Sequence, residues 1–244
     1  MSSLRFYSPE ILSLGATVQL SNNSATHATR VLRLNIGDDI NLFNGDGFDY
    51  ACKLILVKKS EVVAKVNASQ VRNTESPLNI TLLQGISSGD RMDYSIQKAV
   101  ELGVKQIQPL ATERSLVKLS AERAEKRLGH WQNVVISACE QCGRATIPKV
   151  LTPKTLANWL AANSATTASR ILLNPIGAKR LAELTKPNSE IQLLIGAEGG
   201  LTQSEIDLAI TNGFQSVILG PRILRTETAG PTAIATMQGL WGDF

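Results

Sequence analysis

Cysteine, histidine and long apolar segments are scarce in this sequence, and each scarcity excludes a class of protein. The 244 residues contain three cysteines and two histidines, and neither histidine has the spacing of a zinc finger, which needs four ligands. No apolar run reaches about 18 residues, so a membrane-spanning helix is not expected. Residues 1–10 lack the apolar core of a signal peptide, so secretion is not expected either.

The Cys139-x-x-Cys142 pair permits two further kinds of chemistry, a redox-active dithiol or half of a zinc site. The pair also lies in a helical pattern of mainly apolar side chains, which recur at steps of three and four: Leu128, Trp131, Val135, Ala138 and Cys142. We interpret the pair as core packing and predict no metal site. Neither His27 nor His130 has the context of a nucleophile elbow, so a serine-histidine-acid triad is not indicated.

The rest of the composition is typical of a folded protein with room for one large or two small domains. Apolar residues make up 43%, which is enough to bury a core and excludes a largely disordered chain. The formal net charge is +4, with a pI near 9.0. A polyanionic partner is therefore permitted but not required, because charges of both signs are mixed along the chain.

The first part of the chain, up to about residue 72, is predicted to be rich in β-structure. Short segments typical of strands lie at residues 18–20, 39–43, 50–57 and 62–66. Asn44-Gly-Asp-Gly47 supplies residues that tolerate positive φ, as a hairpin turn requires. A short helix is predicted at residues 24–32. Several short strands at near-regular spacing favour a small barrel.

The polar segment of residues 72–77 ends in proline and is typical of a linker, so we place the domain boundary after residue 73. From residue 74 onward, strand-like and helix-like segments alternate. The predicted strands are residues 78–83, 105–110, 170–173, 191–195 and 216–219, and the predicted helices are residues 91–102, 121–142, 202–212 and 231–240. Such alternation favours a parallel α/β sheet that is covered on both faces.

Three predicted strands end in unusual sequence, and ligands of open α/β sheets bind beyond the carboxyl ends of the strands. Residues 173–177 turn at Asn-Pro, which a simple strand exit also explains. Residues 195–205 form a glycine-rich loop before a helix, and Thr202 and Glu205 have the spacing of a capping box. The loop lacks the Walker and dinucleotide-binding patterns, so neither ATP nor NAD is indicated, and a tight turn remains the alternative.

The third segment, residues 219–231, crowds charged and polar side chains between a buried strand and a helix. Arg222 and Arg225 are suited to holding anions, and the apolar pair Ile223 and Leu224 between them is suited to lining a flat pocket. A purely structural role explains so many polar groups at a strand end less well. We therefore predict a ligand site at this segment.

Four longer motifs make the chain similar to a known family. They are His27-Ala-Thr-Arg-Val-Leu-Arg33, Glu140-Gln-Cys-Gly-Arg144, Gly196-Ala-Glu-Gly-Gly200 and Leu219-Gly-Pro-Arg-Ile-Leu-Arg-Thr-Glu-Thr-Ala229. Over essentially its whole length the chain resembles the bacterial 16S ribosomal RNA (uracil-N3)-methyltransferases, the RsmE family of the SPOUT, or trefoil-knot, class. One departure is Ala197, where the family usually has proline, and we expect it to loosen that loop slightly.

The resemblance implies an α/β protein with two domains. The first is an N-terminal PUA-like RNA-binding β-barrel at residues 1–73, and the second is a C-terminal SPOUT methyltransferase domain at residues 74–244, with a parallel sheet and a trefoil knot. The resemblance also implies S-adenosyl-L-methionine as the cofactor and a cytoplasmic homodimer. The implied reaction is methylation of uracil N3 of a specific uridine in the decoding region of 16S rRNA, on the small (30S) ribosomal subunit.

Site residues follow from the resemblance at the matching positions. Those expected to bind the cofactor are Leu173, Asn174, Gly196, Glu198, Gly199, Gly200, Leu219, Gly220, Ile223, Leu224, Thr228 and Ala229. Arg144, Arg225 and Glu227 are the expected catalytic residues, with the two arginines on the uracil oxygens or nearby phosphates. The proton acceptor stays open between Glu227, Glu198 and water, and either carboxylate can instead hold the positive end of the cofactor.

Arg5, Arg30 and Arg33 of the barrel are expected to contact RNA phosphates. Two alternatives to the uracil assignment stay open: a methyltransferase of the same class that acts at another RNA site, and a non-catalytic rRNA-binding assembly factor. The intact third segment argues against the non-catalytic alternative, because a degenerate cofactor site is expected to have lost one of its loops.

Overall fold

The computed structural model describes residues 4–59, 61–115, 121–176 and 179–244. Contacts within the chain divide it into two units. Unit 1 comprises Met1–Glu75 with Cys139–Ile147, and unit 2 comprises Ser76–Ala138 with Pro148–Phe244. The boundary after residue 73 stays a prediction, and no pattern in the sequence indicates that a later segment belongs with the first unit.

Unit 1 is built on five strands: β1 (Arg5–Tyr7), β2 (Thr17–Gln19), β3 (Asp39–Phe43), β4 (Phe48–Val57) and β5 (Val62–Val71). They form one sheet in the order β1-β3-β4-β5-β2, antiparallel except for the parallel pair β1 and β3. In β4, Tyr50, Cys52 and Leu54 are buried in the core of the unit, and Ala51 and Lys53 between them are exposed. The sheet therefore buries one face, as an antiparallel sheet commonly does.

The turns of unit 1 use the residues that the sequence predicts for them. β3 and β4 are joined by a hairpin in which Gly45 and Gly47 have φ values of 99° and 91°. Helix α1 (Asn22–Thr26) is capped by Ser21, whose Oγ accepts the Ser24 amide, and it continues into a π-helical turn over His27–Val31. The predicted hairpin turn and short helix are thus confirmed.

Unit 2 contains eight further strands: β6 (Ile80–Gly85), β7 (Gln106–Ala111), β8 (Lys149–Val150), β9 (Lys154–Thr155), β10 (Ser169–Leu173), β11 (Lys179–Arg180), β12 (Ile191–Ile195) and β13 (Gln215–Ile218). The sheet order is β11-β13-β10-β12-β6-β7-β8, β9 also pairs with β7, and every pair is parallel. All residues of β6 and β12 are buried, as central strands of a doubly covered sheet should be. The predicted parallel sheet is confirmed.

The helices that follow these strands are α2 (Asp90–Glu101), α3 (Ala121–Cys142), α4 (Leu156–Ala162), α5 (Gln203–Thr211) and α6 (Thr226–Trp241). α3 begins in unit 2, and its last turn is counted with unit 1. None of the helices in the described part of the chain combines the length and apolar character that a membrane span needs.

A buried side-chain amide links helix α6 to the end of α2 by a hydrogen bond. Gln238 is 1% exposed, and its Nε2 donates to the carbonyl of Leu102 at 2.7 Å. Its Oε1 accepts the hydroxyl of Ser76 at 2.9 Å. Gly103, next to Leu102, has φ of 86°, the left-handed conformation that commonly follows the end of a helix. The carbonyl of Leu102 at this helix end is thereby satisfied by a partner far along the chain.

Helix α6 begins earlier than the sequence predicts. The sequence pattern predicts a start at about Pro231. In the structure the helix begins at Thr226 and continues through Pro231. The carbonyl of Arg225 accepts the amides of Thr228 and Ala229 at 2.9 and 2.8 Å, so the first turn closes before proline is reached. The predicted start is therefore wrong, and the residues before Pro231 are helical.

Candidate functional site

The three segments that the sequence singles out follow adjacent strands of unit 2. β13, β10 and β12 are neighbours and run parallel, so their carboxyl ends lie at one edge of the sheet. Leu173 ends β10 half-buried, and the amide of Asn174 donates to the carbonyl of Val217 in β13 at 3.0 Å. The carboxamide of Asn174 also accepts the amide of Ile176 at 3.2 Å, which fixes the turn. The structure therefore brings these segments to one edge.

The glycine-rich loop after β12 is a tight turn with close backbone contacts. Ala197 and Gly200 form an antiparallel bridge, in which the Gly200 amide donates to the Ala197 carbonyl at 2.9 Å. A Cβ on Gly196 would lie 2.9 Å from the carbonyl carbon of Gly200. A Cβ on Gly85, at the end of β6, would lie 2.3 Å from the amide nitrogen of Ala197. The tight turn, which the sequence analysis left open as the alternative to a ligand loop, is present, and it packs directly on the neighbouring strand end.

Thr226 joins the first residue of α6 to two strand ends. Its hydroxyl donates to the carbonyl of Gly196 at 2.6 Å and accepts Nε2 of Gln84, in β6, at 3.0 Å. Thr226 is 7% exposed and Gln84 is fully buried, so both hydrogen bonds are shielded from solvent. Buried polar groups of this kind are expensive to leave unpaired. The hydroxyl thus fixes the third segment against the glycine-rich loop.

Glu198 projects from the glycine-rich loop toward the segment after β6. Its Oε1 accepts the amide of Ser88 at 2.8 Å, the hydroxyl of Ser88 at 2.7 Å and Nη1 of Arg91 at 3.3 Å. Burial raises the pKa of Glu198, but these hydrogen bonds outweigh it and lower the pKa to about 2. Glu198 is therefore a carboxylate at neutral pH. So low a pKa makes Glu198 a weak base.

Arg91 also connects Glu198 to the start of α6. Its Nε lies 3.8 Å from Oε1 of Glu227, the second residue of the helix. The side chain of Glu227 is 17% exposed, and a negative charge near a helix N-terminus is favourable. One guanidinium thus lies between two carboxylates, one from the glycine-rich loop and one from α6. Ser88 and Arg91 were not predicted as site residues.

The loop between β13 and α6 exposes the cations and apolar groups that the sequence predicts there. Arg222 and Arg225 are exposed, and among the described residues neither guanidinium has a partner. Ile223 is 82% exposed, and Leu224 is half-buried. A Cβ on Gly220 would meet nothing within 4 Å. The loop therefore offers open apolar surface and unpaired positive charge side by side.

The remaining predicted cofactor residues flank these loops. Leu219 is half-buried where the third segment leaves β13, Thr228 is exposed and Ala229 half-buried in the first turn of α6. The carbonyl of Gly199 accepts Nη1 of Arg114 at 3.2 Å. The same nitrogen lies 3.2 Å from the carbonyl of Leu201. Arg114, which was not predicted, therefore holds the glycine-rich loop from the segment after β7.

Two of the predicted arginines are buried in unit 1. Nε and Nη2 of Arg144 donate to the two carboxylate oxygens of Glu75 at 2.8 and 2.6 Å, and Arg144 is 3% exposed. Nη1 of Arg5 donates to Asp49 at 2.6 Å, and its Nη2 donates to the carbonyl of Arg144 at 3.0 Å. Arg5 is 9% exposed, so the expectation of a surface phosphate contact is corrected for this residue. Arg144 belongs to unit 1, whereas Arg225 and Glu227 belong to unit 2.

The other two predicted RNA contacts are at the surface of unit 1. Arg30 and Arg33 are exposed, and neither has a partner among the described residues. Arg33 has φ of 54°, the sole positive φ at a non-glycine residue in the described ranges. An L-residue adopts this conformation at a cost of about 1–2 kcal/mol. Arg33 therefore occupies a position whose backbone conformation suits glycine.

The cysteines give no support to redox or metal chemistry. Burial raises the pKa of Cys139 to about 12 and that of Cys52 to about 11, so neither thiol is a reactive thiolate near neutral pH. Cys139 is fully buried, as core packing predicts, and Cys142 is half-buried. Among the described residues, no three histidine, cysteine or acidic side chains are placed to hold a metal ion.

A separate groove of about 530 Å³ runs along α5. Its lining combines apolar side chains with amides and one lysine: Asn174, Ile176, Lys179, Gln203, Ile206, Ile210, Phe214, Gln215 and Ser216. Of the predicted site residues only Asn174 is among them. The groove is thus distinct from the loops around Glu198, and we do not assign the site to it.

Comparison with protein-family models places both parts of the chain. Residues 74–238 match the model of an RNA methyltransferase domain, and residues 20–67 match that of an RNA methyltransferase PUA domain. The chain is 36% identical over 240 residues to the ribosomal RNA small subunit methyltransferase E of Buchnera aphidicola subsp. Acyrthosiphon pisum. That alignment covers 98% of this chain and 94% of the relative.

Solved structures with the same architecture cover the whole chain. A ribosomal RNA small subunit methyltransferase E from Neisseria gonorrhoeae, bound to S-adenosyl methionine, is 45% identical with a TM-score of 0.90 over 99% of both chains. A putative methyltransferase from Legionella pneumophila, with bound cofactor SAM, is 38% identical with a TM-score of 0.94 over 100% of both chains. These similarities confirm the predicted fold class of an N-terminal PUA-like β-barrel and a C-terminal α/β domain.

Replacement of Thr226 by valine should destabilise unit 2. The substitution keeps the shape of the side chain but removes the hydroxyl that bonds Gly196 and Gln84. We expect a loss of about 1–3 kcal/mol in the free energy of unfolding, measured by urea denaturation. Thr236→Val is the matched control, because the hydroxyl of Thr236 bonds only the carbonyl of Thr232 in the same helix. Equal losses in the two variants would contradict the role given to Thr226.

The stability difference between the wild type and Glu198→Gln should depend on pH. The pKa of Glu198 is lowered from 4.5 to about 2 in the folded protein, so its carboxylate stabilises the fold above pH 4.5. This contribution is lost as the pH falls from 4.5 toward 2. Urea denaturation at pH 7 and pH 3.5 should therefore show the wild type losing stability relative to the variant at the lower pH. A difference that does not change with pH would contradict the hydrogen bonding described for Glu198.

Proposed function

The chain belongs to the family of the ribosomal RNA small subunit methyltransferases E, and from that premise we propose that it methylates N3 of a uridine in the decoding region of 16S rRNA. It is an RNA methyltransferase that depends on S-adenosylmethionine and acts on ribosomal RNA. We propose three further details: uracil as the target nucleobase, N3 as the methylated atom, and the assembled small subunit as the substrate. The observation that supports it most is the joining of three loops at one sheet edge of unit 2.

The residues at this edge fit S-adenosylmethionine. The open space beside Gly220 and the exposed apolar side chain of Ile223 suit a flat purine. The negative charge of Glu198 suits a positively charged group. When bound, the cofactor supplies a methyl group on a sulfonium, and the residues that would hold it lie in segments 173–174, 196–200 and 219–229. We propose this set as the cofactor site.

The uracil imide requires positive charge where negative charge develops. Loss of the N3 proton spreads negative charge over O2 and O4 of the base, and donors placed there contribute on the order of 3 kcal/mol each. Arg225 is exposed and unpaired among the described residues, so we assign this role to it. Arg144 is held by Glu75, and we propose that it orders the segment 139–147 of unit 1 rather than the base.

Glu227 is the proposed acceptor of the N3 proton. It lies in the same turn as Arg225, at the start of α6, and Arg91 fixes its side chain from one side. Glu198 is the weaker candidate, because its pKa of about 2 leaves little affinity for a proton. If Glu227 is not required, water accepts the proton. The Glu227→Gln variant distinguishes these two acceptors.

Unit 1 is the proposed RNA-binding part. Arg30 and Arg33 are exposed on the helical turn and its end, where they can contact phosphates without breaking any ion pair of the described residues. Arg5 is left out of this role, because Asp49 already holds it inside the unit. The homodimer and the cytoplasmic location implied by the family resemblance remain proposals. The exposed Leu240, near the end of α6, and the exposed Phe244, just after the helix, support an apolar partner surface on unit 2.

Nucleoside mass spectrometry of methylated 16S rRNA tests the proposal. The purified protein with S-adenosylmethionine and unmodified 30S subunits should yield N3-methyluridine at one position. Arg225→Ala should lower kcat/KM by roughly 10²- to 10³-fold, because a donor to the developing charge is lost. Glu227→Gln should lower kcat at neutral pH if Glu227 accepts the proton. Arg127→Ala, a change on α3 outside the proposed site, is the matched control and should leave the rate unchanged.

Other products would identify the alternatives. A methyl group on a ribose hydroxyl, on another base or on transfer RNA would replace the uracil assignment with another RNA target. Binding of rRNA without methyl transfer to any of these substrates would favour a non-catalytic assembly factor.

A further inference from the structure

Arg114 brings an exposed positive charge to the sheet edge of unit 2 where the loops meet. It follows β7, which pairs in parallel with β6, so its segment lies at the same edge as the glycine-rich loop. Nη1 of Arg114 lies 3.2 Å from the carbonyl of Gly199 and 3.2 Å from that of Leu201. Both acceptors are neutral, and Arg114 makes no ion pair within the described ranges. The charge is therefore held in place but is not neutralised.

Two contacts fix the backbone segment that carries Arg114. The amide of Glu113 donates to Oε1 of Glu205 at 3.0 Å, and Glu205 is 6% exposed at the start of α5. A Cβ on Gly199 would lie 2.9 Å from Cβ of Arg114 and 3.2 Å from its carbonyl oxygen. Gly199 therefore permits a close approach of the two segments that a larger residue would obstruct. The guanidinium is thus carried by a segment that is ordered without any ligand.

Most of the hydrogen-bond donors of Arg114 remain available. Nε and Nη2 bond to none of the described residues, and a guanidinium carries five N–H donors in all. A guanidinium that presents Nε and Nη2 together matches two oxygens of a phosphate group. Arg91, by contrast, already lies between Glu198 and Glu227. An anion at Arg114 therefore meets donors that no carboxylate of the described residues occupies.

The anion that fits this position best is a phosphate group of the RNA strand. A base reaches a methyl donor only after it leaves its stack, and the phosphates on either side of the extruded nucleotide then lie at the rim of the site. Phosphate contacts set the register and orientation of a bound nucleic acid. Arg222 and Arg225, which are exposed and unpaired among the described residues, add positive charge to the same edge. The edge therefore carries charge that is complementary to a polyanion.

We propose that Arg114 binds a phosphate group of ribosomal RNA next to the target nucleotide. Nε and Nη2 donate to the phosphate oxygens, while Nη1 stays on the carbonyls of the glycine-rich loop. One side chain then connects the RNA strand to the loop that is proposed to hold the cofactor, which fixes the target nucleotide relative to the methyl group. The inference rests on the proposed function, and it adds a contact of unit 2 to an RNA-binding role that was assigned to unit 1 alone.

Two binding measurements on Arg114→Gln test the contact. The first is the Kd of the rRNA substrate in the presence of S-adenosylhomocysteine, with 30S subunits or free 16S rRNA, whichever the wild type methylates. This Kd should rise about tenfold, which corresponds to about 1.4 kcal/mol. The slope of log Kd against log salt concentration should fall by about 0.7–0.9, as expected for the loss of one phosphate contact. The second measurement is the Kd of S-adenosylhomocysteine alone, which should stay within about twofold of the wild type. Arg127→Gln, the same change at an arginine on α3, is the matched control and should alter neither Kd.

Arg114→Lys tests whether the positive charge is what the RNA requires. Lysine keeps the charge and also binds phosphate, so this variant should recover the salt dependence of the wild type and most of its affinity for rRNA. Equal losses in the lysine and glutamine variants would contradict a phosphate contact.

Two other results would refute the contact while the proposed function stands. If Arg114→Gln weakens S-adenosylhomocysteine as much as rRNA, Arg114 acts through the glycine-rich loop or on the cofactor itself. If the variant weakens neither ligand, its guanidinium binds no phosphate. Unchanged binding of S-adenosylhomocysteine also shows that the variant is folded. If the wild type methylates neither 30S subunits nor 16S rRNA, the proposed function itself fails and the contact with it.

Discussion

The hydroxyl of Thr226 is the contact on which the ligand edge of unit 2 depends. It bonds the carbonyl at the start of the glycine-rich loop and a buried glutamine at the end of the neighbouring strand, so three chain segments meet at one side chain. Glu198 makes the second connection, from the same loop to Ser88 and Arg91. The polar groups in both connections are shielded from water, so breaking their hydrogen bonds would leave them unpaired at a high cost in free energy. The connections therefore fix the loops relative to one another. The loops are ordered by these bonds before any ligand arrives.

Much of the fold follows from the sequence, and the failures have physical reasons. β6 and β12 were predictable, because apolar runs of their length are typical of strands buried on both faces. β8, β9 and β11 have two residues each, too few for any period to be seen. The sequence pattern predicts a start of α6 at about Pro231, but the backbone carbonyl of Arg225 closes the first turn earlier. Local patterns thus predicted the long elements and missed those that pairing or capping alone defines.

The candidate site was predictable in its loops but not in its partners. Glycines and arginines at strand ends indicated where a ligand binds, because strand ends of a parallel sheet meet at one edge. Ser88 and Arg91 lie more than a hundred positions before Glu198 in the sequence, and no spacing rule relates them. The Ser-Ser-Gly-Asp-Arg segment that follows β6 is a signal of the same kind, since it places polar side chains beyond a strand end. Arg5 shows the opposite error, a surface contact predicted for a buried residue. Nothing in the sequence around Arg5 reveals that Asp49 is its partner inside the unit.

A crystal structure of the protein with S-adenosylhomocysteine tests the central claim most directly, namely that the loops joined by Thr226 and Glu198 form the cofactor site. The account predicts the nucleoside against residues 219–224 and the positively charged end of the ligand on the side of Glu198. The loops themselves should move little on binding, because their hydrogen bonds are already made. A ligand bound in the groove along α5, or one whose amino-acid end points away from Glu198, would contradict the account.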